Sequence, residues 1–276
     1  MTLKELFEYC SNELSFGECG DFESQCVFED LLKVDRSKIL SSNSPVSEDD
    51  ISLVNNVVKR RKSGEPLQYI LGTWDFYDLT FFVGKGVLIP RPETEILVDF
   101  ALDKLNDIKN PVVFDLCAGT GCIGLTIAKH IPDATVYLLE KEKNAFEYLK
   151  KNADNLALDN VRLINDDLFT MDLLKLPLAD MILSNPPYIP TKEIDELQKE
   201  VLSEPISALD GGNDGLDFYR CLADKWTSKV KNSGFMVFEC GDNQSAAVVG
   251  IFNGKYTENN VIFDFNNIDR IVTFRI

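Results

Sequence analysis

Apolar side chains follow a helical spacing in the first part of the chain. Four of them recur at intervals of three and four residues, as one helix face requires: Leu3, Leu6, Phe7 and Cys10. A later helix is predicted to begin after Ser47, because a serine hydroxyl caps a helix N-terminus well, and to end before Gly64. Its basic residues 59–62 suit the dipole of a solvated helix end better than they indicate a nucleic-acid patch. We therefore predict a helical domain over residues 1–75.

The pattern changes after Gly72. Residues 73–90 are rich in aromatic and β-branched side chains and are punctuated by glycine, which predicts a hairpin. We assign residues 76–92 to a hairpin linker. A helical pattern resumes over residues 93–105 and marks the start of a second domain, which we predict over residues 93–276.

Short apolar runs alternate with helical segments from Pro111 onward. This alternation is typical of an α/β fold with a mostly parallel sheet covered by helices on both faces. The predicted strands are residues 112–114, 135–139, 161–164, 181–184, 235–238, 261–265 and 270–274. Because only a short connection separates the last two, we expect them to form an antiparallel pair that ends a seven-stranded sheet.

Composition narrows the classes of partner. The 276 residues include 45 Asp and Glu against 28 Lys and Arg, for a formal net charge of −17. Such a surface favours a basic protein over a nucleic acid. No apolar run is long enough to span a bilayer, and the first residues lack the apolar segment of a signal peptide, so we expect a cytoplasmic protein without a membrane partner. Seven scattered cysteines and one histidine predict no metal site.

A glycine-rich turn joins the first strand of the sheet to its helix. Residues 115–124 read DLCAGTGCIG, and glycines there would let the backbone approach a ligand at a helix N-terminus. Glu140 ends the next strand, where a carboxylate can accept both ribose hydroxyls. The spacing GxGxxG alone would fit a dinucleotide. The Asp115 carboxylate before the first glycine suits a cation instead, which favours S-adenosylmethionine.

Two aspartates follow the third strand. Asp166 and Asp167 precede Leu168, so one carboxylate could take an adenine amino group while the leucine flanks the ring. Either aspartate could also be only a turn residue.

The segment SNPPYIP at residues 184–190 follows the fourth strand. The Asn185 side-chain carbonyl and the Pro186 backbone carbonyl could accept both hydrogens of a planar –NH2 group. Pro186 and Pro187 would fix the turn, and Tyr188 could stack on the planar group. Holding such a nitrogen in line with a sulfonium methyl is the main task in methyl transfer.

These motifs together resemble the HemK/PrmC family of protein-(glutamine-N5) methyltransferases. Further matching segments are EPLQYILG at residues 65–72, VLIPRPETEILV at 87–98 and ALDGGNDGL at 208–216. The resemblance implies a Rossmann-like methyltransferase domain after a helical substrate-docking domain. It also implies S-adenosylmethionine as donor, S-adenosylhomocysteine as product, and the glutamine of a Gly-Gly-Gln loop in peptide-chain release factors as acceptor.

The resemblance also assigns roles to residues. Asn185 and Pro186 would hold the glutamine amide beside Pro187, and Tyr188 would pack on it. We predict these cofactor contacts: Asp115, Cys117, Ala118, Gly119, Thr120, Gly121, Glu140, Asp167, Leu168 and Asn185. The chain departs from the family pattern in having glutamate, not aspartate, at position 140, and a longer carboxylate still reaches a ribose.

Other functions fit part of the pattern. An adenine-N6 nucleic-acid methyltransferase would use the same NPPY acceptors, but phosphates approach a chain of charge −17 poorly. A glutamine of a ribosomal protein is a second alternative acceptor. An NAD(P)-dependent oxidoreductase and a non-catalytic binding module are the remaining alternatives. We expect a monomer that contacts release factors and makes no direct contact with nucleic acid.

Overall fold

The computed structural model describes residues 1–15, 19–41 and 44–276. The chain divides into two compact units. The first comprises Met1–Thr73 together with Gln198–Ser203, and the second comprises Trp74–Leu197 and Glu204–Ile276. The sequence predicts that the helical domain ends at residue 75. The first segment of the first unit ends at Thr73.

The first unit is helical. Its helices are α1 Leu3–Leu14, α2 Gly20–Asp30, α3 Arg36–Ser41, α4 Glu48–Lys62 and α5 Leu67–Leu71. The cap predicted at Ser47 is confirmed: its hydroxyl accepts from the Asp50 N–H, and Asp50 in turn bonds the Ser47 N–H, which forms a capping box. Apolar side chains from all five helices form one core, which includes Leu6, Phe28, Ile39, Val54 and Leu67.

Arg61 explains why a distant segment belongs to this unit. The sequence predicted a solvated helix end here, but Arg61 is only 2% exposed. Its guanidinium pairs with Glu23 at 2.6 Å and with Glu200 at 3.0 Å. Burial of a guanidinium requires such partners, and Glu200 thereby ties residues 198–203 to α4. The second compact unit therefore omits this short segment, and the domain predicted over residues 93–276 stays a prediction.

The second unit is built on β-strands. The strands are β1 Thr73–Phe76, β2 Leu79–Phe82, β3 Val112–Leu116, β4 Thr135–Leu139, β5 Val161–Ile164, β6 Ala179–Ser184, β7 Val230–Glu239, β8 Glu258–Phe263 and β9 Asp269–Arg275. The helices are α6 Glu95–Leu105, α7 Cys122–His130, α8 Lys143–Leu156, α9 Asp217–Lys225 and α10 Ser245–Ile251. β1 and β2 pair as the predicted hairpin.

Among the described residues, seven strands form the main sheet in the order β5-β4-β3-β6-β7-β9-β8. β3 to β7 are parallel, and β9 is antiparallel to both β7 and β8. The predicted α/β class, the mostly parallel sheet and its antiparallel end are confirmed. Helices α9 and α10 were not predicted.

Apolar cores lie on both faces of this sheet. On one face Leu97 of α6, Ile123 of α7 and Leu149 of α8 pack in a single cluster with strand residues. On the other face Tyr219 of α9 and Phe252 of α10 do the same. Because helices cover both faces of the sheet, the place left for a ligand is the edge where the parallel strands end. Each helix in the described part of the chain is too short or too polar to cross a membrane.

Candidate active site

The candidate site lies where the parallel strands end. β4 lies on one side of β3 and β6 on the other, so the order of strands reverses between β3 and β6. In α/β sheets, a crevice at such a switch point is where ligands bind. Four polar side chains end or directly follow these strands: Cys117, Glu140, Asn185 and Glu239.

The glycine-rich turn after β3 has an unusual backbone. Three of its residues have positive φ angles: Cys117 at 61°, Gly119 at 55° and Gly121 at 83°. Gly121 is also sterically required, because a Cβ there would lie 2.4 Å from Leu149 Cδ1. The buried Asn152 side chain holds the turn by donating to the Thr120 carbonyl at 2.9 Å. The turn is therefore fixed by α8 on its inner side.

Asp115 lies beneath this turn. Its side chain is fully buried, and Oδ2 accepts from the Gly124 N–H at 2.8 Å. Burial raises the pKa of Asp115 to about 7, and the Glu140 charge adds to the shift. The carboxylate thus supports the start of α7, and the cofactor contact predicted for it stays a prediction.

Glu140 lies at the end of β4 and bonds the turn directly. Its Oε2 accepts from the Gly119 N–H at 2.8 Å, and its Oε1 accepts from the Glu142 N–H at 2.7 Å. Burial raises the pKa of Glu140, against the lowering effect of these two bonds. Each carboxylate oxygen keeps a further lone pair, so Glu140 can still accept hydroxyl donors.

A cavity opens in front of the turn and comprises about 650 Å³ when the open solvent at its mouth is included. Its lining includes these predicted ligand residues: Cys117, Ala118, Gly119, Thr120, Glu140, Asn185 and Pro187. Six predicted residues lie outside this lining: Asp115, Gly121, Asp167, Leu168, Pro186 and Tyr188. Pro186 is buried. The ligand contacts of all the predicted residues stay predictions.

A second cavity of about 400 Å³ adjoins the first, since Cys117, Glu140 and Glu142 line both. Asp167 and Leu168 line it together with the rings of Phe169 and Phe218, whose centroids are 5.0 Å apart. Asp167 Oδ1 accepts from the Phe169 N–H at 2.9 Å, and Oδ2 pairs with Lys141 at 3.1 Å. Asp167 and Leu168, which are predicted to contact the adenine, thus line the same cavity as Glu140, which is predicted to contact the ribose.

Sequence reasoning missed the wall opposite the turn. Residues 86–91, Thr94 and three residues of the loop around position 206 also line the larger cavity: Pro205, Ser207 and Ala208. The two segments are joined by Glu204, which is 4% exposed, accepts from the Ile89 N–H at 2.9 Å and pairs with Arg91. The rigid Pro90-Arg91-Pro92 stretch was the available signal: the sequence analysis matched residues 87–98 to the family but gave them no place in the site.

Asn185 is connected to Glu239 through Thr94. Asn185 Nδ2 donates to Thr94 Oγ1 at 3.2 Å, and Thr94 Oγ1 donates to Glu239 Oε2 at 2.5 Å. The Tyr188 hydroxyl faces Glu239 Oε1 at 3.4 Å. Glu239 is 3% exposed, and burial raises its pKa to about 7. Neither Thr94 nor Glu239 had a role in the sequence-based prediction.

The backbone of the NPPY turn rests on glycines of the ALDGGNDGL segment. A Cβ on Gly215 would lie 2.3 Å from the Tyr188 carbonyl oxygen, and a Cβ on Gly211 would lie 2.8 Å from the Pro187 carbonyl oxygen. Gln244 Nε2 donates to the same Tyr188 oxygen at 2.9 Å. Both glycines are therefore needed for close approach of two backbone segments.

Comparison with known proteins agrees with this geometry. Residues 93–213 match the model of the methyltransferase small domain, and residues 5–72 match that of the PrmC N-terminal domain. The release factor glutamine methyltransferase of Thermodesulfovibrio yellowstonii is 36% identical over 255 residues, which are 91% of this chain and 90% of the relative. That of Geobacter sulfurreducens is 37% identical over 262 residues, which are 94% and 90% of the two chains.

The chain belongs to the release factor glutamine methyltransferase family. The family predicted from the motifs is thereby confirmed, and with it the class of enzyme, a methyltransferase. A solved methyltransferase from Pyrococcus furiosus has a TM-score of 0.54 at 14% identity, covering 83% of this chain and 98% of that chain. At that identity the likeness shows the fold alone.

Proposed function

We propose that this protein transfers a methyl group from S-adenosylmethionine to the side-chain amide nitrogen of the glutamine in a Gly-Gly-Gln loop of a peptide-chain release factor. One observation carries the proposal: Asn185 lines the same cavity as Gly119 and Thr120, so an amide-binding acceptor and a nucleotide-type turn share one space. The names of its relatives support the choice of acceptor.

The donor side fits S-adenosylmethionine, which supplies a methyl group on a positively charged sulfur. Glu140 would accept ribose hydroxyls with the lone pairs that its bonds to the turn leave free. Asp167 and Leu168 would contact the adenine in the adjoining cavity. The Glu140 and Glu142 carboxylates line both cavities, and negative charge there favours a cationic ligand.

The acceptor side is the NPPY turn. Asn185 Oδ1 and the Pro186 carbonyl would accept the two amide hydrogens of the glutamine, which holds its nitrogen in one plane. Pro187 forms part of the cavity wall and restricts the turn. Packing of the Tyr188 ring on the amide is part of the proposal, although its hydroxyl is directed to Glu239.

Methylation of an amide nitrogen releases one proton. The carboxylate linked to Asn185, Glu239, is already held by the hydroxyls of Thr94 and Tyr188. We therefore assign no residue as a dedicated base, and the proton leaves to water after the nitrogen is methylated. Orientation of the amide, in a cavity lined mainly by apolar and backbone groups, is the chain's main contribution to the rate.

The proposed partner is a protein rather than a nucleic acid. In the basic run of α4, Arg60 pairs with Glu65, Arg61 with Glu23 and Lys62 with Glu13. These side chains are therefore engaged within the first unit. With a net charge of −17, the chain is suited to a basic surface on the release factor. We propose that residues 1–75 dock this partner and that the protein acts as a monomer.

Mass spectrometry tests the function directly. Purified release factor incubated with the protein and S-adenosylmethionine should gain one methyl group on the glutamine of its Gly-Gly-Gln loop. The Asn185→Ala variant should lose this transfer, whereas Asn260→Ala, an exposed change on β8, should keep it. Methyl groups on DNA adenine, with none on the release factor, would replace the proposal by the adenine-N6 alternative.

A further inference from the structure

We propose that Thr94 and Glu239 are positioning residues that fix which end of the Asn185 amide faces the acceptor. The inference rests on the proposed function, and it names two residues that neither the motifs nor the comparisons assign. Thr94 lies in the 3₁₀ turn before α6, and Glu239 is the last residue of β7. They are 145 positions apart along the chain, and both are buried.

The direction of each hydrogen bond follows from the chemistry of the groups. In its ionised form, which the nearby Arg270 favours, the Glu239 carboxylate can only accept, so it takes the single hydroxyl hydrogen of Thr94. Thr94 Oγ1 then has only lone pairs to offer to Asn185. The amide must therefore present Nδ2 to Thr94, which is the observed contact at 3.2 Å.

This arrangement decides what Asn185 presents to a substrate. With Nδ2 held by Thr94, the carbonyl Oδ1 is the free end of the amide. Among the described residues, none donates a hydrogen bond to Asn185 Oδ1. A hydrogen-bond acceptor is what a primary amide –NH2 requires, whereas a flipped Asn185 would present a second donor and repel it.

Glu239 reaches both ends of the NPPY turn. Its Oε2 acts through Thr94 on Asn185, and its Oε1 faces the Tyr188 hydroxyl at 3.4 Å. A buried carboxylate is costly unless it is hydrogen-bonded, and here both oxygens face hydroxyl groups. Arg270 lies near enough to favour its charged form, while Glu93 opposes it. Glu239 thus positions the Asn185 amide at one end of the turn and the Tyr188 ring at the other.

Substitution of Thr94 separates this role from simple packing. Thr94→Val keeps the shape and removes the hydroxyl, so Asn185 can rotate. We expect turnover on release factor to fall about tenfold or more, the loss expected for one well-placed hydrogen bond, with the S-adenosylmethionine Kd changed less than about twofold. Thr94→Ser keeps the hydroxyl and should restore most of the rate. Glu239→Gln should also lose turnover, because its amide can donate to Thr94 Oγ1 and would then leave the Thr94 hydroxyl hydrogen free to point at Asn185.

Thr126→Val is the matched control. Thr126 is also fully buried, and its hydroxyl donates to the Cys122 carbonyl at 2.6 Å within α7. Its loss should lower the unfolding temperature as Thr94→Val does and leave turnover unchanged. Wild-type turnover in Thr94→Val would overturn the proposal. So would equal losses of turnover in Thr94→Val and Thr126→Val, or failure of Thr94→Ser to restore the rate, since each indicates a structural role alone.

An NMR measurement tests the orientation of the Asn185 amide without the methyl-transfer reaction. In the ¹⁵N-labelled full-length protein, the Asn185 side-chain –NH2 signals are assigned by their loss in Asn185→Asp. Thr94→Val should shift these signals and speed their hydrogen exchange, and Thr94→Ser should return them. Unshifted signals in Thr94→Val would overturn the proposal even if wild-type enzyme is active. Absence of methylation by the wild-type enzyme would instead overturn the proposed function. The NMR signals would still test whether Thr94 orients the Asn185 amide.

Discussion

The Asp115 carboxylate accepts a hydrogen bond from the Gly124 N–H through Oδ2, 2.8 Å away, while its Oδ1 has no partner among the described residues. The two groups are so close that a Cβ on Gly124 would lie 2.8 Å from the same Oδ2. One of the two carboxylate oxygens is thus buried without a hydrogen bond, which disfavours the ionised form of Asp115.

The pH dependence of stability should reveal this buried group. The pKa of Asp115 is raised from 3.8 to about 7, mainly by burial, so between these values the folded state binds more protons than the unfolded state. The free energy of unfolding should therefore fall as pH rises through this window, by up to about 1.4 kcal/mol per pH unit, and level off above it. Urea unfolding of wild type and Asp115→Asn across the window measures the difference.

Asp115→Asn cannot ionise, so its stability should lose this component of the slope. Glu239, whose pKa is also raised to about 7, remains in both proteins and cancels in the comparison. Asp103→Asn, an exposed change in α6, is the control and should keep the wild-type slope. Parallel curves for wild type and Asp115→Asn would show that Asp115 is ionised in the folded protein at all these pH values.

Glu140 should govern the affinity for S-adenosylmethionine. Its two oxygens accept from the Gly119 and Glu142 N–H groups, so Glu140→Gln would direct an amide donor at a backbone donor. We expect Glu140→Gln to weaken binding more than tenfold in calorimetric titration, and Glu140→Asp to weaken it less. The exposed Glu147→Gln on α8 serves as control. Tight binding of NADH by wild type, without binding of S-adenosylmethionine, would refute the assignment of the cofactor.

Much of the sheet was predictable because its strands are short apolar runs bounded by turn residues. The bounds of β4 and β5 were predicted to the residue. α9 and α10 were missed. Neither begins with a side-chain cap, although α6, α7 and α8 lack one as well. The residue before α9 is Leu216, and the residue before α10 is Gln244, whose amide is engaged by Gly241 and Tyr188 instead. Without a local start signal, each helix depends on packing against the sheet.

Site residues that follow strands could be predicted from the sequence. Contacts between residues far apart along the chain could not. Glu140 and Asn185 come directly after a strand and Gly119 lies in the turn after one, so parallel topology alone brings them to one edge. Thr94 carries no such signal. Glu239 also ends a strand, but its contact with Thr94 is a product of tertiary packing and could not be predicted. The sequence placed Asp115 near the end of β3, but its complete burial was not predictable, because it depends on how α7 packs.

The proposed docking role of the first unit is tested by removing it. A chain that begins at Trp74 keeps the β1–β2 hairpin, whose Phe76 is buried in the core of the second unit. We expect this chain to bind S-adenosylmethionine as the full-length protein does and to methylate a short Gly-Gly-Gln peptide equally well. Its kcat/KM on intact release factor should fall, because docking contacts are lost. Steady-state kinetics on the two substrates provide the comparison.

One control is needed because residues 198–203 belong to the first unit. Truncation removes Arg61 and leaves Glu200 without that partner. Full-length Glu200→Gln breaks the same ion pair and retains the helices, so it isolates the contribution of the segment. Equal kcat/KM on intact release factor for the full-length and truncated chains would contradict docking. A loss in Glu200→Gln as large as that of truncation would assign the effect to the segment instead.

The loop after the NPPY turn should contribute to association through charge. Glu193, Asp195 and Glu196 are exposed in the 3₁₀ turn Thr191–Glu196, a few residues beyond Asn185. We expect them to face basic residues around the acceptor loop, since opposite charges speed encounter and are screened by salt. Reversal of all three to lysine should lower the association rate with release factor at low salt about tenfold or more, and flatten its salt dependence.

The control for this charge reversal must carry the same net charge. Asp103, Asp107 and Asp159 are exposed and precede β3 or β5, so they lie toward the opposite edge of the sheet from the cavity. Their reversal to lysine should leave the association rate close to that of wild type if the effect is local. Stopped-flow measurements over a range of salt concentrations distinguish the cases. Equal changes in both triple variants would mean that overall charge alone attracts the partner, and the loop would then have no specific part in docking.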